Sequence, residues 1–487
     1  MRKILLLLIA TLFTFSCKVY QKVNLPAQKG ISGYSGYYKE VSKKIAKSNQ
    51  EKLEVYKGET QFYPNSEKLN WGLAMSGGGI RSAAVNIGAI KALYDMELLD
   101  SIQIMSSVSG GSYALGWFFS NETQNQDMRL GEAFLDNKFI ISQICNLRKN
   151  ANMMRVPTML YSLFSSPNKA FMKYEESIQR TFINDNSKYL KLNKFQSTGN
   201  NKKPYFIINS TIQSKKNSDW LSRVYEFTPY HQGNPEVGLL KNDNKNSITL
   251  ERAVTISGAA INWKLLQKHP NQLDTVKSTY FPLSDGGKSE NLGAISLIRR
   301  GIKNIIIIDA EHNKNLSFDG YKILKEQLRN ELSLNFSIPE IDNFISNNKN
   351  KLDKSVYKGT VKSIYLDPND INKPLELNIF YMKMSLPESI ESVFSNQIIL
   401  NEGNNLKTNL RCDNPNILKK ESDFYSLSAS WTKSYSNWLN KESKWRLLNY
   451  KFPHTTTADQ SFYTDQFSAF VGLGYIQTTE LKDLIKD

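Results

Sequence analysis

Apolar positions along this chain alternate between short continuous runs and stretches of helical spacing. Trp71-Gly-Leu-Ala-Met75 reads as a strand. Beyond it Ile80, Ala84, Ile87, Lys91 and Tyr94 recur at helical spacing, with small residues between them. Ile102-Gln-Ile-Met-Ser-Ser-Val108 reads as a second strand, and Tyr113-Ala-Leu-Gly-Trp-Phe-Phe119 opens a second helix. Further strand readings fall at Tyr205–Ile208, Ile305–Ile308, Val361–Leu366 and Leu375–Met384. Helical patterns surround Leu130–Ile144 and Phe171–Phe182, and recur within 315–350 and 387–450. Strands alternating with helices predict an α/β fold with a largely parallel sheet covered on both faces.

The N-terminus breaks this pattern. Met1-Arg2-Lys3 is basic, and the apolar run Ile4 to Phe15 spans 12 residues, short of the ~20 a bilayer helix needs. Thr14-Phe-Ser-Cys17 follows, so residues 1–16 read as a bacterial secretion signal and Cys17 as a lipidation site. Ordinary cleavage after Ser16 is the competing reading. Residues 17–65 read as a tether and surface segment, and 66–480 as one domain with insertions near 121–200 and 387–450. The expected location is the bacterial cell envelope, on the periplasmic side or the cell surface, anchored in the membrane by the lipid.

Candidate chemistry sits where strands turn into helices. Ser76-Gly77-Gly78-Gly79-Ile-Arg81 joins the first strand to its helix. Glycines there let the backbone turn sharply, and the first-turn N–H groups with the helix dipole favour negative charge. The spacing matches neither a P-loop nor Gly-x-Gly-x-x-Gly. Arg81 adds a cation that could hold a phosphate. Ser107-Val-Ser109-Gly-Gly111 has the strand–turn–helix setting of a nucleophile elbow. Ser109 has small residues two positions away on both sides, whereas Ser112 falls inside the helix. Asp285 ends a short apolar run before Gly286 and Gly287. A plain Asp-Gly turn has the same appearance.

Taken in order, Gly77-Gly78-Gly79-Ile80-Arg81, Ser107–Gly111 and Asp285-Gly286-Gly287 resemble the motifs of the patatin-like phospholipases. The first also resembles the cytosolic phospholipase branch. Glu251–Ala260, Phe452–Gln460 and Gln466–Gly474 are similar to family segments outside those motifs. The resemblance implies a three-layer patatin-like fold with helical insertions. It implies a Ser109–Asp285 dyad without histidine, an oxyanion hole in Gly77–Gly79, and no cofactor. The implied activity is phospholipase A-type cleavage of glycerophospholipid esters, with a phospholipid or other lipid ester as substrate; the lipid anchor adds a membrane surface as partner. The first position of the elbow departs from the family, with Ser107 where glycine is usual.

A triad of Ser109, Asp309 and His454 also satisfies a hydrolase chain order, since Asp309 ends the strand reading Lys303–Asp309 with its apolar run Ile305–Ile308. It would make the protein a general esterase. A tethered envelope protein with a degenerate hydrolase fold is the non-enzymatic alternative. The formal charge is +16; losing residues 1–16 removes Arg2 and Lys3 and no acid, which leaves +14. A basic surface suits anionic lipid, and a solvated Lys/Asn surface explains it as well. No nucleic-acid motif appears, and none is expected as a partner. No metal is expected: Asp367-Pro-Asn-Asp370 starts like a calcium loop, but Ile371 breaks it. Cys145 and Cys412 could pair in an oxidising compartment. Trp431, Tyr435 and Trp438 share a helix face, which fits core packing or membrane contact.

Overall fold

The computed structural model describes residues 59, 62–64 and 71–486, apart from 123–128, 138–142, 145, 148–166, 185–188, 197–202, 213–222, 235–237, 245–246, 260–264, 271–277, 314, 348–350, 364–375, 397–423, 443–451, 456, 458–461 and 463. Cys17, Cys145, Cys412, the Asp367–Ile371 loop, the Trp438 side chain and Trp445 lie outside the described residues.

The predicted first strand is β1 (Trp71–Met75), and β2 (Ile102–Val108) pairs with it in parallel. β3 (Tyr205–Ile212), β9 (Asn304–Asp309) and β12 (Glu376–Lys383) complete a parallel centre in the order β12-β9-β1-β2-β3. These strands are buried on both faces and carry near-continuous apolar runs, as such sheets require. Antiparallel strands extend each side. β10 (Leu334–Ser337) and β11 (Val356–Ser363) lie beyond β12. β4 (Val224–Phe227), β5 (His231–Asn234) and β6 (Gly238–Lys241) lie beyond β3. β7 (Leu265–Pro270) pairs with β8 (Ser278–Asp285), and β8 pairs with the end of β3. The predicted strand at Val361–Leu366 begins earlier, because Val356–Lys362 is the stretch that finds partners on β12.

Side-chain alternation divides the core into two layers. Leu73, Met75, Met105, Ile306 and Ile308 pack under α1 (Gly79–Asp95) and α2 (Gly110–Asn121), with α7 (Phe424–Glu442) and α8 (Thr464–Thr479) outside. Ala74, Ile104, Ile305 and Ile307 face α5 (Ile295–Arg299) and α6 (Asp319–Leu332). The outcome is a mixed sheet between flanking helices, parallel at its centre as expected and antiparallel on both sides. α3 (Pro167–Phe182) and α4 (Leu250–Ser257) pack beside α2. Trp431 and Tyr435 are buried in the first layer, so their helix face packs inward.

α1 and α8 touch at backbone distance. A Cβ on Gly88 would collide with the Val471 carbonyl, and one on Gly474 with the Val85 carbonyl. Glycine at both points lets the two helices close without a gap. The helix that starts at the glycine loop is thereby braced along its length.

Candidate active site

Three chain turns meet at the C-terminal edge of the parallel strands. The first is Ser76–Gly78, between β1 and α1. The second is Ser109, between β2 and α2. The third is Asp285, which ends β8 opposite Ser210 of β3.

Ser109 has φ 50 and ψ −117, a conformation that L residues rarely adopt. Such strain costs on the order of 1–3 kcal/mol and persists only where the surroundings enforce it. Here the enforcement is visible. The Ser109 N–H donates to Ser257 Oγ at 2.8 Å, and Ser257 Oγ donates to the Asn209 carbonyl at 2.6 Å. A Cβ on Gly110 would collide with the Gly79 carbonyl, and one on Gly111 with the Met75 carbonyl. Ser107, standing where the motif usually has glycine, is fully buried; its Oγ meets Ser112 Oγ at 3.0 Å and donates to the Ile207 carbonyl at 3.2 Å. Its hydroxyl is absorbed by the network that supports the turn. Ser112 is likewise committed, with Oγ 2.9 Å from Ser257 Oγ.

Ser109 Oγ donates to Asp285 Oδ2 at 2.9 Å. The other oxygen, Asp285 Oδ1, accepts the Gly287 N–H at 2.7 Å. Ser109 is 5% exposed and Asp285 9%. Burial raises the Asp285 pKa, with the Gly287 N–H, the Ser109 hydroxyl and Lys288 acting against it. Among the described residues the carboxyl is thus held by one hydroxyl and one amide, with the Lys288 cation acting at longer range.

The glycine loop divides in its roles. Gly77 departs from the expected oxyanion donor: its N–H donates to the Asn291 carbonyl at 2.8 Å. Among the described residues nothing accepts from the N–H of Gly78 or Gly79. Gly78 at φ 145 and Gly79 at φ 62 explain why glycine stands at both positions.

Arg81 does not occupy the place its sequence setting suggested. It is 1% exposed, donates from Nε to the Ala310 carbonyl at 3.1 Å and from Nη2 to Thr457 Oγ1 at 3.2 Å, and bonds the Thr455 carbonyl through Nη1. A guanidinium with its donors turned to backbone and hydroxyl acceptors locks the loop to Ala310, just past β9, and to Thr455 and Thr457. Its charge lies directly behind Gly78, whose Cβ would come within 2.8 Å of Arg81 Nη2.

The alternative triad does not assemble. Asp309 Oδ2 accepts from Lys383 Nζ at 2.7 Å and from the Tyr381 hydroxyl, and Oδ1 accepts the Glu311 N–H at 2.9 Å. Burial, with Lys383, Arg81 and His312 nearby, pushes His454 down to about 3. Among the described residues no hydrogen bond joins His454 to Ser109 or Asp309, and its buried Nδ1 has no partner.

Asn291, Ser257 and Asn209 carry much of this geometry, and motif reading gave none of them a role. Asn209 donates to Ser106 Oγ at 2.9 Å and to the Ser107 carbonyl at 3.0 Å, bracing the strand beneath the elbow. Only the small-residue pattern Ile256-Ser-Gly-Ala-Ala260 hinted at a close approach there.

A sheet with a parallel centre, whose strand ends bring together a strained serine, a strand-end carboxyl and a glycine loop at a helix start, defines a hydrolase-like α/β architecture. Residues 73–298 match the model of the patatin-like phospholipase family. A mouse (Mus musculus) protein, cytosolic phospholipase A2 zeta, is 24% identical over 174 residues, 34% of this chain and 19% of its own length. The solved structure of human GIVD cytosolic phospholipase A2 superposes with a TM-score of 0.53 at 11% identity, over 92% of this chain and 63% of that one. The latter likeness is one of fold. The chain spans under two thirds of the length of both.

Proposed function

We propose that this protein is a lipid acyl hydrolase that cleaves carboxylic esters of glycerophospholipids, phospholipase A-type, through Ser109, Asp285 and an acyl-enzyme. The observation that carries the reading is the 2.9 Å bond from Ser109 Oγ to Asp285 Oδ2, made by a serine in a strained turn. The match of residues 73–298 to a lipase family supports the substrate class.

A carboxylate with an ordinary pKa near ~4 is a weak base toward a serine hydroxyl. Burial improves it by destabilising the charged form. Ser109 Oγ attacks the ester carbon as Asp285 takes its proton, then Asp285 returns that proton to the leaving alcohol. The developing oxyanion is met by the N–H groups of Gly78, Gly79 and Gly110, at the starts of α1 and α2. Each such donor lowers the barrier by ~3 kcal/mol. Arg81 acts from behind, positioning Gly78 and adding positive potential. Lys288, exposed beside Asp285, is the cation suited to meet a lipid phosphate.

Labelling with a fluorophosphonate, followed by mapping of the modified residue, tests the nucleophile. Modification at Ser109, lost in Ser109→Ala, supports the dyad; modification at Ser112 sinks it. We further propose that Cys17 carries a lipid that tethers the domain to an envelope membrane. Cys17→Ser would then shift the protein from the membrane to the soluble fraction, and unchanged partitioning would refute the anchor.

A further inference from the structure

Asn291 lies in the turn that follows Asp285-Gly286-Gly287, and its polar groups divide their work. The backbone carbonyl accepts the Gly77 N–H at 2.8 Å. Nδ2 donates to Glu311 Oε1 at 3.3 Å, and Glu311 Oε2 is held by the Gly320 N–H at 3.0 Å. The amide nitrogen is the donor that a carboxylate oxygen requires, so the amide oxygen faces the other way. That direction leads to the dyad. A Cβ on Gly77 would collide with Asn291 Oδ1 and lie 3.2 Å from the Ser109 Cβ. A Cβ on Gly287 would lie 2.5 Å from Asn291 Oδ1 and 3.0 Å from Asp285 Oδ1. Oδ1 thus sits between the serine and the Asp turn. No N–H or O–H among the described residues donates to it, although Asn291 is only half-buried. An amide acceptor fixed beside a nucleophile and a base is suited to hold a small donor there, and water is the donor the second half-reaction needs.

We propose that Asn291 orients the water that hydrolyses the acyl-enzyme, an inference that rests on the Ser109–Asp285 reading. Once the first alcohol has left with its proton, Asp285 is again an ionised acceptor, and Ser109 Oγ is esterified. A water between Asp285 and Asn291 Oδ1 donates one O–H to each. Its oxygen attacks the acyl carbon while the proton facing Asp285 moves to the carboxylate. The tetrahedral intermediate then collapses: the C–Oγ bond breaks, and Asp285 passes its proton to Ser109 Oγ. The O–H held by Asn291 stays on the product, a carboxylic acid that ionises on release. Two fixed acceptors hold both hydrogens, which aims the oxygen lone pair at the carbon.

Asn291→Ala and Asn291→Leu remove the acceptor and keep the backbone carbonyl that holds Gly77; the leucine also keeps most of the volume. Both are compared with wild type by fluorophosphonate labelling and by pre-steady-state hydrolysis of a 4-nitrophenyl ester. The expected result is labelling of Ser109 within about twofold of wild type, with a nitrophenol burst of about one per enzyme. Steady turnover would then be slower by roughly ten- to a hundredfold. Acyl-Ser109 would be visible by intact mass. Equal loss of burst and steady rate, no loss at all, or loss of labelling in both variants would overturn the proposal, since Asn291 would then act through architecture or not act. A wild type that is neither labelled at Ser109 nor active would instead sink the dyad reading itself.

Discussion

Asp285 and Asp309 both end strands at the same edge of the sheet, and both are buried, yet their surroundings are opposite. Asp309 faces a buried ammonium, Lys383, at 2.7 Å, and a tyrosine hydroxyl shares the same oxygen. Asp285 faces a serine hydroxyl and an amide, with Lys288 acting from farther off. A carboxylate satisfied by a contacting cation has little tendency to take a proton. One that is desolvated and only hydrogen-bonded has more. The first arrangement ties β9 to β12; the second suits the proton transfer proposed for Asp285. Position at a strand end is therefore not what marks a base. Among the described residues, Asp285 is set apart by a serine hydroxyl in reach and by no cation in contact with it.

The sharpest way to break this comparison is to neutralise each carboxylate in turn. Asp285→Asn should lower ester hydrolysis by roughly 10³–10⁴-fold, as loss of a catalytic base does. It should also leave the fold slightly more stable at neutral pH. The sign follows from linkage: burial raises the folded pKa, so stability present below the unfolded pKa is lost as pH rises through the folded one. Asp309→Asn should do the reverse, costing about 3–5 kcal/mol because Lys383 stays buried and unpaired. Activity per folded molecule would then change little. Asp309→Leu with Lys383→Met should recover most of that stability. Thermal unfolding and active-site titration read both. Full activity in Asp285→Asn, or a stable but inactive Asp309→Asn, would reverse the assignment.

Much of this contrast could not be seen in the chain. The strands β1, β2, β3 and β9 were legible because parallel, doubly covered strands need unbroken apolar runs. The elbow and the glycine loop were legible because backbone contact tolerates only small residues, and Gly110 against Gly79 is such a contact. Asp285 and Asp309 look alike in sequence, since each simply ends an apolar run. What separates them is Lys383, distant in sequence and brought beside Asp309 by the pairing of β9 with β12. Arg81 misleads for the same reason. Its acceptors at Ala310, Thr455 and Thr457 come from remote turns, so proximity to the glycine loop implied a ligand where the fold supplies partners. Asn291 lies near Asp285 in sequence, but its acceptor role depends on Glu311 holding the amide.

A pH profile sharpens the comparison more gently. If the ionised form of Asp285 is the base, as proposed, the acid limb of kcat/KM should lie above the ordinary carboxylate range, since burial raises its pKa. Lys288 opposes that rise, so Lys288→Ala should move the limb to still higher pH. Asp309→Asn should leave the limb where it is. A limb that moves with Asp309 and ignores Lys288 would contradict the assignment of the base.

The smallest effect concerns which cation meets the phosphate. Arg81 and Lys288 differ in setting, one buried among protein acceptors and the other exposed and acting on Asp285 at longer range. A buried guanidinium that holds Gly78 supports every substrate alike. Arg81→Ala should therefore lower phospholipid and neutral short-chain ester turnover by the same factor, with a fall in unfolding temperature. A surface ammonium near an anionic membrane is worth ~1 kcal/mol, about fivefold, and only where the substrate carries a phosphate. Lys288→Ala should thus weaken phospholipid turnover about fivefold more than neutral ester turnover, compared at a pH well above the acid limb so that the Asp285 shift does not intrude. High salt should erase the difference, since the charge is exposed. If Arg81→Ala instead selectively lost phospholipid turnover while keeping its unfolding temperature, the guanidinium would be a ligand after all, and its bonds to Ala310 and Thr457 would have to open when substrate binds.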